Sequence, residues 1–302
     1  MSFKKIVSDI KALNIQGAEN VAKAAIKAFH DILNKSKASN ALKLVQELKR
    51  AKETLLNTRP TEPAMRNALN YILYELDTKD IYETKHELVR RMNYVLDHFE
   101  KAPQMIQDIA SQKIKNKMIV FTHCHSSTVT STLKKAKKEG KSFEVHNTET
   151  RPLFQGRITA KELTKAGIPV TMYVDSASRL ALKKADLMLL GADAITVEGK
   201  IVNKIGSELM AEIASKYDVP LYVCADSWKF DPTTIKGKDV QIEERSPKEV
   251  WISAPKKVKI ANYAFERIDF DLITGVITEL GVYRPSILLE ELKKAYPWMF
   301  KA

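Results

Sequence analysis

The sequence contains little cysteine and no long apolar run. Two cysteines, Cys124 and Cys224, lie 100 positions apart in a chain of 302 residues, so no disulfide framework is predicted and a reducing compartment is indicated. No stretch approaches the roughly 18 consecutive apolar residues of a membrane-spanning helix. The first residues are polar and amphipathic, without the apolar core of a signal peptide. We therefore expect a cytoplasmic protein without a membrane partner.

Acidic residues are outnumbered by basic ones, 37 to 49, which gives a formal net charge of +12. Such a surplus is typical of proteins that bind nucleic acid, an anionic partner or a phosphorylated substrate, but also of lysine-rich solvated surfaces. The basic residues are spread through helical stretches such as 133–138, and no basic tail or aromatic-basic pattern accompanies them. A nucleic-acid partner is therefore not expected.

The first 116 residues show helical periodicity almost throughout. Prolines at positions 60 and 63 interrupt this pattern, because proline removes a backbone donor and restricts the residue before it. The periodicity predicts a helical N-terminal domain over residues 1–116. Its clearest helical stretches are 17–26, 41–56, 67–73 and 81–115.

From residue 117 onward, short β-like runs alternate with amphipathic helices. This alternation predicts a parallel, Rossmann-like sheet, so the expected class is α/β, with a Rossmann-like C-terminal domain over residues 117–302 and a mainly parallel sheet. A hairpin is expected over 195–202, and an irregular surface segment over 231–255. The predicted strands are 118–122, 143–147, 170–174, 187–190, 221–225 and 275–278, and the predicted helices are 129–138, 160–166, 179–184 and 208–217.

Chemically distinctive residues follow four of the predicted strands. Cys124 follows the first, Glu149 and Arg151 the second, Asp175 the third and Asp193 the fourth. In a parallel sheet the carboxyl ends of the strands lie at one edge, where ligands bind. The sequence therefore predicts a single active site at this edge.

Cys124 lies where a buried strand passes through the polar turn THCHSS into a helix. Backbone N–H groups and the helix dipole make such a turn suitable for phosphate. A cysteine there, beside His123 and His125, is expected to have a lowered pKa and to be reactive; the alternative is an inert buried thiol. Adjacent side chains point to opposite faces, and further ligands at metal spacing are missing, so no metal site is predicted. Cys224 lies within an apolar strand and is interpreted as core.

Asp193 closes an apolar run and is the second catalytic candidate. Desolvation at a strand end would raise its pKa, as a general acid requires; the alternative is a cap or turn residue. Arg151 precedes a proline and Lys204 precedes a predicted helix, so both could bind anions. Arg59 stands in the same Thr-Arg-Pro context as Arg151, and surface charge is the alternative for all three.

Together these stretches resemble one superfamily over nearly the whole chain. It comprises archaeal ribose 1,5-bisphosphate isomerase, methylthioribose-1-phosphate isomerase and the alpha, beta and delta subunits of translation initiation factor 2B. The resemblance implies a helical domain before a Rossmann-like domain, and homo-oligomers that are dimers or hexamers. The matching stretches are 17–18, 58–61, 122–126, 149–156, 191–193 and 203–206.

The resemblance implies an aldose–ketose isomerase acting on a sugar bisphosphate without a cofactor. The superfamily's isomerases use a cysteine and an aspartate, which correspond to Cys124 and Asp193; its regulatory subunits commonly lack the cysteine. HCHS and ETRP-x-x-QG-x-ITAKEL are most similar to the ribose 1,5-bisphosphate branch, whose product feeds a ribulose-bisphosphate carboxylase in nucleotide (AMP) salvage. The implied substrate-binding residues are Gly17, Ala18, Arg59, His123, His125, Ser126, Arg151, Gln155, Asn203 and Lys204.

Two departures from the isomerase pattern keep alternatives open. Glu19 stands where the isomerases tend to have glycine, and Ser127 where lysine is common. The alternatives are a regulatory subunit that binds initiation factor 2, and a methylthioribose-1-phosphate isomerase. In the isomerase hypothesis, protonated Asp193 donates to the ring oxygen and Cys124, as thiolate, takes the proton from C2, with a hydride route left open.

Overall fold

The computed structural model describes residues 1–59 and 61–301 and begins with a helical region. Polar side chains begin several of its helices: Asn40 accepts a hydrogen bond from the backbone of Lys43, and Asp80 accepts two from the next turn. The helices are α1 (Phe3–Lys11), α2 (Ala18–Lys35), α3 (Ala41–Leu56), α4 (Pro63–Leu73) and α5 (Ile81–Ser111).

The rest of the chain alternates strands with helices, which confirms the predicted α/β class. Its strands are β1 (Ile119–Thr122), β2 (Glu144–Thr148), β3 (Val170–Tyr173), β4 (Leu187–Leu190), β5 (Ala194–Ile195), β6 (Ile201–Lys204), β7 (Leu221–Cys224), β8 (Phe265–Ile268), β9 (Gly275–Thr278) and β10 (Gly281–Tyr283). Its α-helices are α6 (Ser127–Lys138), α7 (Gln155–Lys165), α8 (Ser178–Leu182), α9 (Ser207–Lys216) and α10 (Pro285–Ala295).

Seven strands form the main sheet in the order β10-β9-β7-β4-β1-β2-β3. All neighbouring pairs are parallel except β9 with β10. Since β1 lies between β2 and β4, the carboxyl ends of these three strands lie side by side at one edge. The predicted hairpin is also present, as antiparallel β5 and β6, which form a second small sheet with β8.

Each face of the main sheet buries its own hydrophobic cluster. In β1, Val120 contributes to one cluster and Phe121 to the other, as expected for a strand with both faces covered. The larger cluster runs from Phe29 and Phe99 of the helical region to Met188 of the sheet. The division at residue 116 into two domains stays a prediction, because this core is shared between the two parts.

Residues 231–255 only partly match the predicted irregular surface segment. The segment consists of short 3-10 turns and loops, but Asp231 and Val240 are buried. Asp231 accepts a hydrogen bond from Arg66 of α4 at 2.7 Å, which holds the start of the segment against the helical region. The expectation of a surface position was therefore wrong for these two side chains. No helix in residues 1–59 or 61–301 has the length and apolar character needed to cross a membrane.

Candidate active site

The loops that follow β1 and β4 meet at the carboxyl edge of the sheet. β1 and β4 are hydrogen-bonded neighbours, and Gly191 lies so close to Ser126 that a Cβ on Gly191 would stand 2.7 Å from the Ser126 Oγ. Cys124 and Asp193 lie on these two loops, close enough that Asp193, when ionised, raises the pKa of the Cys124 thiol. The structure thus brings the two predicted catalytic side chains into one site.

Cys124 occupies a strained backbone conformation. Its φ is +68°, a left-handed value that non-glycine residues rarely adopt and that is common at functional sites. Two threonines hold it there: the Cys124 N–H donates to Thr150 Oγ1 at 3.0 Å, and Thr159 Oγ1 donates to the Cys124 carbonyl at 2.8 Å. The residue is half-buried, and protein surrounds its thiol.

Burial raises the pKa of the Cys124 thiol to about 11, although Lys204 opposes this effect. The expected lowering of this pKa was therefore wrong for the protein without ligand. The physical reason is that burial also lowers the pKa of His123 and of His125, so neither imidazole supplies a positive charge at neutral pH. The thiol accordingly keeps its proton in the resting protein.

Asp193 has a raised pKa, as a general acid requires. Burial is the main cause, and it outweighs the opposing charges of Lys229, Lys204 and Arg59. The Asp193 backbone N–H donates to Val202 of β6 at 2.8 Å, which fixes the residue at the start of the hairpin. This site can therefore hold a neutral carboxylic acid beside a neutral thiol.

His123 is buried, and both its ring nitrogens are engaged by the protein. Its Nε2 lies 2.9 Å from the Ile205 carbonyl, so Nε2 carries the proton and Nδ1 accepts from the Thr148 hydroxyl. The ring therefore joins β1, β2 and the loop after β6. Its predicted contact with substrate is untested, and this geometry favours a positioning role.

His125 and Ser126 lie on the helix side of the same turn. The Nδ1 of His125 is 3.1 Å from Thr159 Oγ1, and its Nε2 is 3.7 Å from a carboxylate oxygen of Glu162. Ser126 accepts a hydrogen bond from the Val129 N–H at 3.4 Å and so begins α6. The turn therefore brings the positive end of α6 beside the thiol.

Arg151 lies at the exposed rim of the site. The Thr150 and Arg151 N–H groups donate to the Asp175 carboxylate at 2.8 and 2.6 Å, so Asp175, which follows β3, fixes the turn after β2. The Arg151 guanidinium donates to the Val250 carbonyl at 3.1 Å. Its predicted role as an anion ligand stays untested.

Gln155 is the first residue of α7, beside a glycine that touches β2. The Gln155 Oε1 is buried without a hydrogen-bond partner among the described residues. At Gly156 a Cβ would stand 1.8 Å from the Thr148 carbonyl oxygen. The close approach of α7 to β2 therefore requires glycine at position 156.

We expect Gly156→Ala to destabilise the protein by about 3 kcal/mol or to prevent folding, because the added methyl group overlaps main-chain atoms that cannot rotate away. Urea unfolding followed by circular dichroism measures this change. Gly140→Ala is the matched control, since its Cβ meets nothing within 4 Å, although its positive φ makes some strain expected. Equal stability of the two variants would contradict the packing argument.

Lys204 is the cation that both catalytic candidates share. It lowers the pKa of Cys124 and of Asp193, and its Nζ lies 4.4 Å from the centre of the Phe265 ring. The neighbouring Asn203 is buried and donates to Ser207 Oγ at 3.1 Å, at the start of α9. The predicted anion-binding roles of Lys204 and Asn203 stay predictions.

Lys229 is the residue that the sequence analysis missed. Its Nζ donates to the Ala192 carbonyl at 2.5 Å, beside Asp193, and its charge acts on that carboxyl. Lys229 follows β7, whose carboxyl end lies at the same edge as β1 and β4. Ligand-binding residues are expected after the carboxyl ends of parallel strands. Applying this expectation to the fifth predicted strand, 221–225, would have indicated Lys229.

A buried polar cluster supports the turn that carries Lys229. His98 of α5 lies 3.0 Å from Asp226 and stacks on Trp228, while Glu279 accepts from the backbone of Ser227. His98, Asp226 and Glu279 each bring a metal-ligand type of atom within 4.8 Å of the others, an arrangement that the sequence did not predict. Their hydrogen bonds to protein groups indicate a structural role.

Arg59 is ion-paired within the protein. Its Nη2 lies 2.9 Å from Glu62 Oε1, and the two side chains are only 14% and 7% exposed. The positive charge of Arg59 lowers the pKa of Asp193. The predicted phosphate ligand therefore lies close to the catalytic candidates, but a carboxylate occupies it.

Gly17 and Ala18 lie at the start of α2. Gly17 has a φ of +86° and precedes the first helical residue, as expected for a residue that needs left-handed backbone. Ala18 packs against the larger hydrophobic cluster. Their predicted contact with substrate stays a prediction.

Known proteins resemble the chain over almost its full length. The sequence profile of the Initiation factor 2 subunit family matches residues 14–285. A ribose 1,5-bisphosphate isomerase from Pyrococcus furiosus is 37% identical over 310 residues, covering 98% of this chain and 95% of that protein. A methylthioribose-1-phosphate isomerase from Symbiobacterium thermophilum is 32% identical, with 95% and 85% covered.

A solved structure has the same fold. The crystal structure of a Pyrococcus horikoshii protein described as translation initiation factor eIF-2B aligns with a TM-score of 0.81 and 28% sequence identity. The alignment covers 94% of this chain and 97% of that one. The α/β architecture with a helical first part is therefore shared.

Proposed function

We propose that the chain, which belongs to the Initiation factor 2 subunit family, isomerises ribose 1,5-bisphosphate to ribulose 1,5-bisphosphate. One observation carries the proposal: a carboxyl group whose pKa burial raises and a thiol lie on adjoining loops beside cationic side chains. Acid, base and anion-binding groups together are what an aldose–ketose isomerase of a sugar phosphate needs. The reaction serves nucleotide salvage in this proposal, in the cytoplasm and in a homo-oligomer.

Three cations favour a substrate with two phosphates. Arg59, Lys204 and Lys229 all act on Asp193, so their charges reach the reacting centre from three parts of the chain. Two phosphates would form ionic contacts with more of this charge than a single phosphate beside an apolar thioether. The arrangement therefore supports the bisphosphate over methylthioribose 1-phosphate.

Asp193 opens the furanose ring in this proposal. The phosphate on C1 prevents spontaneous opening, so the acid must protonate the ring oxygen as the C1–O ring bond breaks. The positive charge that remains is shared by C1 and the oxygen that carries the phosphate. Asp193 becomes a carboxylate at this step, and Lys229 and Lys204 stabilise it.

Cys124 then moves the hydrogen from C2 to C1. Its thiolate takes the C2 proton, and the electron pair of that bond forms a C1–C2 double bond. The thiol returns the proton to C1, while the 2-hydroxyl proton goes to the Asp193 carboxylate. This gives the C2 ketone and restores both groups. Because the pKa of Cys124 is about 11, only a small fraction of the resting protein carries the thiolate.

We expect kcat at saturating substrate to rise with pH above neutrality. The thiolate fraction grows about tenfold per pH unit below a pKa of about 11, and the rise ends where Asp193 loses its proton. Stopped assays between pH 6 and 9 measure the slope. Product formed in deuterium oxide should carry deuterium at C1 in the fraction of turnovers in which the thiol exchanges its proton with solvent before returning it. A flat profile without solvent deuterium in the product would indicate the hydride route.

A substrate panel tests the proposed function directly. Purified protein is given ribose 1,5-bisphosphate or methylthioribose 1-phosphate, and the ketose product is identified by mass spectrometry and NMR. We expect kcat/KM for the bisphosphate to be at least about 100-fold higher, because its second phosphate forms ionic contacts that the thioether cannot form. Preference for the thioether substrate would overturn the substrate assignment. No turnover of either would favour a regulatory subunit.

A further inference from the structure

Glu62 is a buried carboxyl group that the proposed mechanism does not use. It stands immediately before α4, but its side chain makes no cap hydrogen bond to that helix. Instead, it lies 2.9 Å from the Arg59 guanidinium, and the side chain is 7% exposed. The pair is therefore largely shielded from water, and while it is intact a carboxylate neutralises the Arg59 guanidinium that a phosphate would otherwise bind.

Most of the charged groups that act on Glu62 belong to the candidate active site. Arg59 and Lys229 lower its pKa, while Asp193 and Glu243 raise it. Burial has the largest effect and raises the pKa of Glu62 to about 7. Both forms of this carboxyl are thus populated at neutral pH, and a further negative charge nearby would favour the protonated form.

We propose that Glu62 competes with a substrate phosphate for Arg59, so that phosphate binding displaces the carboxylate and is coupled to proton uptake by Glu62. The inference rests on the proposed function only in taking Arg59 as a phosphate ligand. Once the phosphate pairs with Arg59, Glu62 loses its cation and gains an anionic neighbour. Both changes raise the free energy of the buried Glu62 carboxylate. Protonation removes this unfavourable charge.

The coupling has a defined sign and pH range. Below the free-protein pKa of about 7, Glu62 is already protonated and Arg59 is available. Above that pKa, Glu62 must take up a proton when the phosphate binds, so the affinity for the phosphate ligand falls by up to tenfold for each pH unit. Proton uptake by Glu62 is therefore expected to increase from about 0.1 per site at pH 6 to about 0.9 at pH 8.

Isothermal titration calorimetry tests this inference. Ribulose 1,5-bisphosphate is titrated into the whole protein at pH 6, 7 and 8, in pairs of buffers with different ionisation enthalpies, and inorganic phosphate is a second probe. The buffer dependence of the heat gives the number of protons taken up. Because the phosphate groups also titrate, the result is the difference between wild-type protein and Glu62→Gln.

We expect Glu62→Gln to abolish the additional proton uptake and to bind the bisphosphate about tenfold more tightly than wild type at pH 8, with similar affinity at pH 6. Glu62→Ala should behave in the same way. Glu87→Gln is the matched control, since Arg90 lowers the pKa of Glu87 to about 2, far below this pH range. Circular dichroism checks that each variant is folded.

The outcomes separate this inference from the proposed function. Equal proton uptake by wild type and both Glu62 variants overturns the inference, whether or not the protein turns over substrate. If neither variant folds, wild-type proton uptake with sulfate, a phosphate mimic that does not titrate between pH 6 and 8, decides: no increase from pH 6 to 8 overturns the inference. Linked phosphate binding without isomerase activity would support the role of Glu62 and refute the proposed reaction.

Discussion

We expect Asp193→Asn to lower kcat for ribose 1,5-bisphosphate by about a thousandfold. Proton transfer from a positioned acid contributes roughly 10²- to 10⁴-fold to catalysis, and an asparagine amide cannot protonate the ring oxygen as its bond to C1 breaks. The amide has the same size and is neutral, like the protonated acid that burial favours at this position. Substrate affinity should therefore change little, and the effect should fall on turnover.

Steady-state kinetics with the purified variant measure this separation. The control is Asp218→Asn, an exposed aspartate with a φ of +56°, a conformation that asparagine tolerates well. Its turnover should equal that of wild type. A kcat for Asp193→Asn within about tenfold of the wild-type value would show that Asp193 is not the acid.

Cys124→Ser should lower kcat by about 10³- to 10⁴-fold. A serine hydroxyl is much less acidic than a thiol, so at neutral pH the variant would have almost no ionised base at C2. Serine fits the same left-handed turn, where Thr150 and Thr159 hold the backbone. We therefore expect the variant to lose turnover and to keep its fold.

Cys224 provides the comparison for this experiment. It is 1% exposed in the core of β7, so Cys224→Ala should cost some stability but leave turnover close to wild type. Single-turnover measurements and thermal unfolding on both variants separate the two effects. If Cys124→Ser kept full turnover, the proposed proton transfer at C2 would have to be abandoned.

The sequence predicted the sheet well because fully buried strands have a clear pattern. LMLL at β4 is buried at all four positions, and its predicted bounds match the structure. The sequence analysis did not predict β8 and β10, because most of their residues are half-exposed and give no pattern of a buried strand. The wrong surface position of Asp231 has a similar cause, because its partner Arg66 lies 165 residues away in the chain.

The position of the site could be predicted from the order of the strands, but the pKa shifts of its residues could not. Cys124 and Asp193 were predicted at one edge because each follows a strand. The sign of the shift in the Cys124 pKa depends on how deeply three-dimensional packing buries the thiol and both histidines, which local sequence does not encode. The pairing of Arg59 with Glu62 was equally hidden, since a carboxylate before a helix is ordinarily interpreted as a cap.

Asn67 of α4 joins the two parts of the chain beside the site. Its side-chain amide donates to the carbonyls of Trp228 and Phe230, at 2.8 and 2.7 Å, on either side of Lys229. The helix that starts at Glu62 is therefore tied to the turn that holds Lys229. A variant that kept only the sheet would retain the thiol and the acid but lose the helix that holds the turn of Lys229, one of the proposed anion-binding groups, beside them. In this proposal, catalysis thus depends on contacts between the helical part and the sheet part of the chain.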